Sequence, residues 1–303
     1  MSSSQSRHVE IFAPAKINLF LHILGKRSDG YHELDSLITF ADIGDRLTIH
    51  PADQFTFKTC GAFARAFKTA DKDSSPLSKN LAVRAAINLA ERTGHKAKIE
   101  ILLEKNLPLS SGIGGGSADA AACIWGLLQF WNLSPHDIKG LDQMLLQLGA
   151  DVPACFYSNS AHMQGIGEKL TPYNDFPEIP AVLINPGKSC STKDIFMSRP
   201  AQYSEGIRLP DRIDNLDTLC DFLKTTGNDL QRTAEQYVPE ITNAISALDN
   251  SPSCLLARLS GSGATTFGLF ANEESAKQAT RQIAEDNHDW WVRFTWLNRL
   301  HRY

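Results

Sequence analysis

The sequence predicts an α+β fold in two domains. Segments with strand and helix spacing alternate along the 303 residues, a pattern typical of mixed α/β or α+β architectures. A proline-rich stretch at residues 171–180 divides this alternation into two runs, and we take it as the crossing between the domains. Each run contains one glycine-rich turn, at residues 112–116 and 260–263. We therefore expect two halves of mixed structure.

In the first half, apolar runs bounded by turn residues predict strands at 17–24, 37–49 and 98–103. The second run is expected to form one or two strands, broken near Gly44. Apolar residues recur at helical spacing in residues 80–92, which predicts a helix closed by Gly94. Further helices are predicted at about 118–131 and at 135–148, the latter ending at Gly149.

In the second half, the same reasoning predicts strands at 181–185, 255–259, 265–270 and 291–297. Helices are predicted at 228–248 and 273–285. Strands and helices therefore alternate here as well.

The composition is that of an ordinary globular protein. A hydrophobic content of 42% and a charged content of 21% allow a sizeable core. The net charge of −4 comes from interspersed signs, so we expect no nucleic-acid face and no polybasic membrane patch. No apolar run approaches the ~20 residues of a membrane span, and the polar start MSSSQSRHVE does not resemble a signal or transit peptide. A cytoplasmic location is expected.

The cysteines and histidines predict neither disulfides nor a structural metal. The six cysteines are scattered without a C-x-x-C pair, and the nine histidines show no zinc-ligand spacing.

The stretch PLSSGIGGGSADAAACIWGLLQFW at residues 108–131 carries the strongest functional signal. Its glycines let a ligand approach the backbone closely, and the helix that follows offers unpaired N–H groups and a positive dipole end. Together these features favour a phosphate site. Because the helix is apolar nearly all round, we expect it to be buried and its end rigidly held. Asp119 is placed in its first turn, as a residue that suits the dipole and has no catalytic role.

Two other glycine motifs fit less well. A Walker loop ends in G-K-[ST], which is absent from the sequence. A dinucleotide fingerprint follows the first strand of a βαβ unit, whereas this loop lies beyond residue 100 and ends in Ser117. A nicotinamide oxidoreductase is nevertheless kept as the alternative of a different class.

The loop resembles the phosphate loop of the GHMP small-molecule kinases. APAKINL at residues 13–19 and LSGSGAT at residues 259–265 resemble that superfamily's amino-terminal and carboxy-terminal motifs, in the same order. The resemblance spans nearly the whole chain. It implies a two-domain GHMP kinase fold with a ribosomal-protein-S5-like α/β domain at 1–163 and a ferredoxin-like α+β domain at 164–303. The active site is expected in the cleft between them.

Within the superfamily, three stretches are similar to the family of 4-diphosphocytidyl-2-C-methyl-D-erythritol kinases: PAKINLFLHILGKRSDGYHELDSL, GADVPACF and INPGKSCSTKDIF. The resemblance implies transfer of the ATP γ-phosphoryl group, with Mg²⁺, to the 2-hydroxyl of the cytidine diphosphate substrate of non-mevalonate isoprenoid synthesis. It also implies a bacterial cytoplasmic enzyme, expected as a monomer or weak homodimer. Another GHMP kinase, acting on mevalonate, phosphomevalonate or homoserine, is the nearest alternative, and a catalytically silent nucleotide-binding member is the third.

The resemblance assigns two catalytic residues. Asp151 would accept the proton of the hydroxyl group, although an aspartate after a helix can also cap a turn. Lys16 would lie beside that carboxylate and stabilise the developing alkoxide, although a lysine in a strand usually points to solvent. Asn18 lies on the same side of the strand as Lys16 and is expected to contact the substrate.

The resemblance also assigns the cytidine site to Tyr31, His32 and Phe196. Tyr31 would stack on the ring, His32 would bond its polar edge, and Phe196 would cover its other face. Without the resemblance, Tyr31 and His32 would be interpreted as a half-buried pair at a strand entrance.

The residues expected at ATP are Asn80, Lys105, Pro108, Leu109, Ser110, Ser111, Gly112, Ile113, Gly114, Gly115, Gly116, Ser117 and Ala118. A surface role for Lys105 stays open. Ser117 would cap the helix, touch a phosphate or reach Mg²⁺. Ser110 and Ser111 occupy positions where the family often has glycine, which leaves the phosphate geometry open.

The second glycine turn comprises Ser260, Gly261, Ser262 and Gly263. It would brace the phosphate loop, line the acceptor site or simply join two strands. No metal ligand is assigned, because no acidic residue beyond Asp151 is an obvious one.

Overall fold

A computed structural model describes residues 8–70 and 79–299. The polar start at residues 1–7, on which the expectation about targeting peptides rests, lies outside the described residues. The elements of the first half are β1 Val9–Lys26, β2 His32–Pro51, β3 Thr56–Cys60, α1 Ala64–Ala70, α2 Leu81–Thr93, β4 Ile99–Glu104, α3 Gly115–Trp131, α4 Leu141–Leu148, α5 Val152–Tyr157, β5 Ala161–Gly165 and β6 Lys169–Pro172.

The second half contains β7 Ile179–Asn185, α6 Thr192–Ser198, α7 Leu216–Lys224, α8 Gln231–Tyr237, α9 Glu240–Asp249, β8 Cys254–Leu259, β9 Thr266–Phe270, α10 Glu273–Asp286 and β10 Trp291–Leu297. None of the helices in the described ranges combines the length and apolarity that crossing a membrane requires. All six cysteines lie within those ranges and are free.

A continuous ladder of strands joins the two halves. Its order is β3-β4-β2-β10-β7-β9-β8, and β1 and β5 also pair with β2. Strand β10 reaches β2 at one register pair, Leu297 and Ala41, while its other end pairs with β7. The long strand β2 therefore belongs to both halves. The predicted boundary at 163/164 falls within β5, which pairs with β2, and it stays a prediction.

The expected break near Gly44 is wrong, since β2 runs unbroken through that residue. Gly44 pairs with Pro14, where the β1–β2 register shifts. A Cβ on Gly44 would lie 2.1 Å from the Ala13 carbonyl oxygen. The glycine therefore permits a close approach of two strands at a bulge and does not end a strand. The expected strand at 17–24 also extends, to residues 9–26.

Helix α3 is buried, as predicted, against the sheet of β1 and β2. It begins at Gly115, three residues before the expected start, because Gly114 with a φ of +66° forms the cap. Ser117 is therefore not the capping residue, and Asp119 does not lie in the first turn.

Two predicted helices are divided. Residues 135–148 form a short 3₁₀ turn, Pro135–Asp137, followed by α4, because Gly140 adopts a φ of +69° between them. Residues 228–248 divide into α8 and α9 at Pro239, which has no N–H to continue a helix. The sequence did not predict β3, α1, α5, β5, β6, α6 or α7.

Candidate active site

The phosphate loop, residues 108–114, leads directly into the amino end of α3, whose burial begins at Ala118. It borders a cavity of about 430 Å³, together with Gly115, Gly116 and Ser117 of the first helical turn. The first N–H groups of a helix have no partner within it, so this end offers donors and a positive dipole to an anion. Burial of α3 fixes the direction of those donors.

Backbone contacts hold the loop in place. Lys16 N donates to the Ile113 carbonyl over 3.0 Å, and Thr265 N donates to the Ser111 carbonyl over 3.0 Å. The Ser260 hydroxyl donates to the Gly112 carbonyl over 3.1 Å. Gly112 has a φ of +75°, and a Cβ there would lie 2.4 Å from the Ser260 carbonyl oxygen. The second glycine turn therefore braces the phosphate loop through close backbone contact.

Lys16 and Asp151 form an ion pair at the edge of this cavity. Lys16 Nζ lies 2.9 Å from Asp151 Oδ1 and 3.1 Å from Asn18 Oδ1. The Lys16 side chain is 4% exposed and that of Asp151 is 39% exposed. Asp151 precedes α5 but makes no side-chain capping bond to that helix. The geometry thus excludes both the capping alternative for Asp151 and the solvent-facing alternative for Lys16.

Asn18 links this pair to the second glycine turn. Its side-chain Nδ2 donates to the Ser36 hydroxyl over 2.8 Å, and its backbone N donates to the Ser260 hydroxyl over 3.2 Å. The Asn18 amide oxygen is thereby oriented toward Lys16. The ammonium group has two fixed partners, which offset the cost of burying its charge.

Lys105 lies beneath the start of α3 and is not a surface residue, since its side chain is 2% exposed. Its Nζ contacts Asp45 at 2.5 Å and Asp119 at 2.6 Å. Burial lowers the pKa of Lys105, but Asp119 and Asp45 outweigh burial and leave that pKa above its usual value. Burial likewise raises the pKa of Asp119, and the Asp45 charge adds to this while Lys105 opposes it.

Asp119 has one unsatisfied oxygen. Oδ2 is bonded to Lys105, but the buried Oδ1 has no hydrogen-bond partner among the residues that the structure describes. Those residues also contain no cluster of three or more histidine, cysteine or acidic side chains that would hold a metal alone. Mg²⁺ commonly uses one or two carboxylates together with phosphates and water. The free Asp119 oxygen and the nearby Ser117 hydroxyl fit that donor set.

A second cavity, of about 900 Å³, adjoins the first. Ser117, Asp151 and Thr192 border both cavities, so the two meet beside the ion pair. In the second cavity the rings of His32 and Phe196 lie 5.2 Å apart. Tyr31 also borders it and is 57% exposed.

Three cations, Lys26, Lys193 and Arg199, border this second cavity, and sequence reasoning missed them along with Thr192. Burial lowers the pKa of His32, and the charges of Arg199 and Lys26 lower it further. These effects favour the neutral form of His32. Lys193 and Arg199 are visible as cations in the sequence, but nothing there places them at the same cavity as Lys26.

Most of the expected site residues border the two cavities. They are Lys16, Asn18, Tyr31, His32, Lys105, Pro108, Leu109, Ser110, Ser111, Gly112, Gly114, Gly115, Gly116, Ser117, Asp151, Phe196, Gly261 and Ser262. Ile113 and Ala118 are buried, while Ser260 and Gly263 lie in the bracing turn.

Asn80 caps α2 through bonds from Ala82 N and Val83 N, and its neighbour Leu81 borders the first cavity. Its contact with ATP stays a prediction.

Comparison with known proteins agrees with this geometry. Residues 80–159 match the family model for the GHMP kinases N terminal domain, and residues 212–289 match that for GHMP kinases C terminal. A 4-diphosphocytidyl-2-C-methyl-D-erythritol kinase of Roseobacter denitrificans is 42% identical over 98% of this chain and 96% of its own. The chain belongs to the GHMP kinase family.

Other relatives of this GHMP kinase point the same way. The 4-diphosphocytidyl-2-C-methyl-D-erythritol kinase of Parvibaculum lavamentivorans is 45% identical over 92% of this chain and 95% of its own. A crystal structure of 4-(cytidine 5'-diphospho)-2C-methyl-D-erythritol kinase superposes with a TM-score of 0.76 at 28% identity, covering 95% of this chain and 98% of that chain. Homoserine kinase from Cytophaga hutchinsonii, at 17% identity and a TM-score of 0.65 over 97% of this chain and 95% of its own, shares the fold. The predicted two-domain GHMP kinase fold is confirmed.

Proposed function

We propose that this GHMP kinase transfers the γ-phosphoryl group of ATP to the 2-hydroxyl of 4-diphosphocytidyl-2-C-methyl-D-erythritol, in non-mevalonate isoprenoid synthesis. The observation that carries the proposal is the Lys16–Asp151 pair, 2.9 Å apart, where the cavity bordered by the phosphate loop meets the cavity bordered by His32 and Phe196. The names of relatives that are 42% and 45% identical over more than nine-tenths of this chain support the substrate.

The phosphate loop and the start of α3 would bind the ATP phosphates. Their backbone donors are held by packing and by the second glycine turn, so little reorganisation is needed when charge shifts during transfer. Most of the catalysis expected for phosphoryl transfer is positioning and electrostatic stabilisation.

Asp151 would accept the proton of the substrate hydroxyl. As the O–H bond breaks, that oxygen forms a bond to the γ-phosphorus, and the bond between the γ-phosphorus and the β–γ bridging oxygen breaks to release ADP. The ammonium group of Lys16 would keep the Asp151 carboxylate oriented and stabilise negative charge on the attacking oxygen. Asn18 would keep Lys16 in place through the 3.1 Å bond.

Mg²⁺ would be held by Asp119 and Ser117 together with the nucleotide. When bound, it would neutralise phosphate charge during transfer. Lys26, Lys193 and Arg199 would face the diphosphate of the acceptor, and neutral His32 would bond the cytosine edge. A cytoplasmic monomer or weak homodimer stays a prediction.

The test is an ADP-release assay on the Asp151→Asn variant. We expect kcat to fall by about 10²- to 10⁴-fold, because the amide cannot accept the proton, while ATP still binds. Asp142→Asn is the matched control, since the exposed Asp142 carboxylate accepts a 2.9 Å bond from the Tyr157 hydroxyl, outside both of the cavities described above.

Near-normal turnover by Asp151→Asn would contradict the role as base. For the wild type, a panel containing mevalonate, phosphomevalonate and homoserine should show turnover only with the cytidine substrate. Greater turnover with any of the other three would overturn the substrate assignment.

A further inference from the structure

The segment between α7 and α8, residues 227–229, lies against the middle of β1. Leu21 N donates to the Gly227 carbonyl over 2.9 Å, and Asp229 N donates to the Leu21 carbonyl over 2.9 Å. The Asp229 side chain accepts a further bond, of 2.7 Å, from Ile23 N. The backbone of Asn228 is therefore fixed on the strand that carries Lys16 and Asn18.

From this position the Asn228 side chain reaches the second glycine turn. Its Nδ2 donates both hydrogens, to the Leu259 carbonyl over 2.9 Å and to the Gly261 carbonyl over 2.8 Å. Its Oδ1 accepts a 2.9 Å bond from Leu230 N. If the Asn228 amide were flipped, its oxygen would face the two carbonyl oxygens and no hydrogen bond could form. The bonding partners therefore determine the orientation of the amide.

The carbonyls that Asn228 holds flank Ser260, whose hydroxyl bonds both Gly112 and Asn18. A Cβ on Gly261 would lie 2.7 Å from the Gly112 carbonyl oxygen, so the two glycine turns touch through their backbones. Any movement of the second turn is therefore transmitted to the phosphate loop.

We propose that Asn228 is a positioning residue for phosphoryl transfer, which fixes the second glycine turn and through it the phosphate loop and Asn18. The inference rests on the proposed function for its kinetic consequence. Asn228 is not among the described residues that border the two cavities, so it acts through Ser260 and Gly112 and touches no substrate. Its amide supplies two donors at once, which no other uncharged side chain of similar size does except glutamine.

The test compares Asn228→Asp with the wild type. The carboxylate places an oxygen opposite two carbonyls, so the turn shifts, and a misplacement of about 1 Å lowers kcat by roughly 10- to 100-fold. Because the acceptor site itself is intact, the KM for the cytidine substrate should change less than about threefold.

Two controls separate this effect from charge and from local packing. Asn272→Asp adds the same charge at the cap of α10, where either side chain accepts the bond from Ser275 N. Ser204→Ala removes a 2.9 Å bond to Asp229 in the same segment without touching the turn. Both should retain wild-type kcat.

Hydrogen exchange provides a readout that does not depend on the substrate. The peptide covering residues 108–117 should exchange faster in Asn228→Asp than in the wild type. Its exchange rate in both controls should equal that of the wild type. If Asn228→Asp does not fold, Asn228→Ser, which keeps one donor, should show the same effects at smaller size. Wild-type kcat with wild-type loop exchange in the folded variant would overturn the inference. Lack of turnover by the wild type would instead overturn the proposed function, and the exchange result would still decide the role of Asn228.

Discussion

Replacing Gly112 with alanine tests whether backbone contact between the two glycine turns sets the rate. A Cβ at this position would lie 2.4 Å from the Ser260 carbonyl oxygen and 2.6 Å from Gly263 N, and both atoms belong to the backbone. The turns must therefore separate by about 1.0 Å to reach the 3.4 Å at which ordinary contact begins. A shift of ~1 Å in a reacting group costs about 100-fold in rate.

Alanine at this position also has a backbone cost. Gly112 has a φ of +75°, where a side chain costs about 1–2 kcal/mol. Gly94 offers a matched control, because it has a φ of +70° and a Cβ added there would have no atom of the described residues within 4 Å beyond its own chain neighbours. Gly94→Ala should therefore lose similar stability and keep its turnover.

The assay combines steady-state ADP release with urea unfolding of both variants. We expect kcat of Gly112→Ala to fall by about 100-fold and that of Gly94→Ala to stay within about twofold. Equal kcat values for the two variants would refute the reasoning, because backbone strain alone would then explain the effect.

Three further predictions concern ionisable side chains. Burial favours a higher pKa for Asp35, but hydrogen bonds from His162 and from Ile207 N outweigh burial and hold that pKa below 3.8. In acid, the unfolded state therefore binds more protons at this carboxyl than the folded state does. The stability that Asp35 contributes should therefore be present above pH 3.8 and lost as the pH falls through its folded pKa. In urea unfolding, Asp35→Asn should lose about 1–3 kcal/mol of unfolding free energy at pH 7, and its unfolding free energy should decrease less than that of the wild type as the pH is lowered. Because burial and the charges of Arg199 and Lys26 lower the pKa of His32, the KM for the cytidine substrate should rise only at a pH below that at which an ordinary histidine titrates, a dependence that His32→Gln should abolish. Lys105→Met leaves Asp45 and Asp119 buried without a cation, so urea unfolding should show a loss of about 3–5 kcal/mol in unfolding free energy. The double variant Lys105→Met with Asp119→Leu should recover part of that stability, because it removes one of the two unpaired charges.

The sequence predicted features that depend on local pattern. The apolar surface of residues 118–131 predicted a buried helix, and the glycines before it predicted an anion site at its end. The family resemblance brought Lys16 and Asp151 together, which are 135 residues apart and which spacing alone cannot pair.

The features that sequence reasoning missed depend on tertiary contacts. Gly44 resembles a strand break, but its neighbour across the bulge makes it a point of close approach. Lys105 resembles a surface lysine until Asp45 and Asp119 are placed around it. No local sequence pattern indicates the role of Asn228, because the two carbonyls that it bonds lie 31 and 33 residues away along the chain.

The bonds from Ser260 and Thr265 to the phosphate loop have a consequence for biosynthesis. The loop is synthesised before the residues that hold it, since Ser260 follows Gly112 by 148 positions. A nascent or prematurely terminated chain therefore carries the phosphate loop without the contacts that hold it. We expect ATP consumption to begin only after Ser260 and Thr265 have been synthesised, which spares the cell futile hydrolysis by unfinished polypeptides.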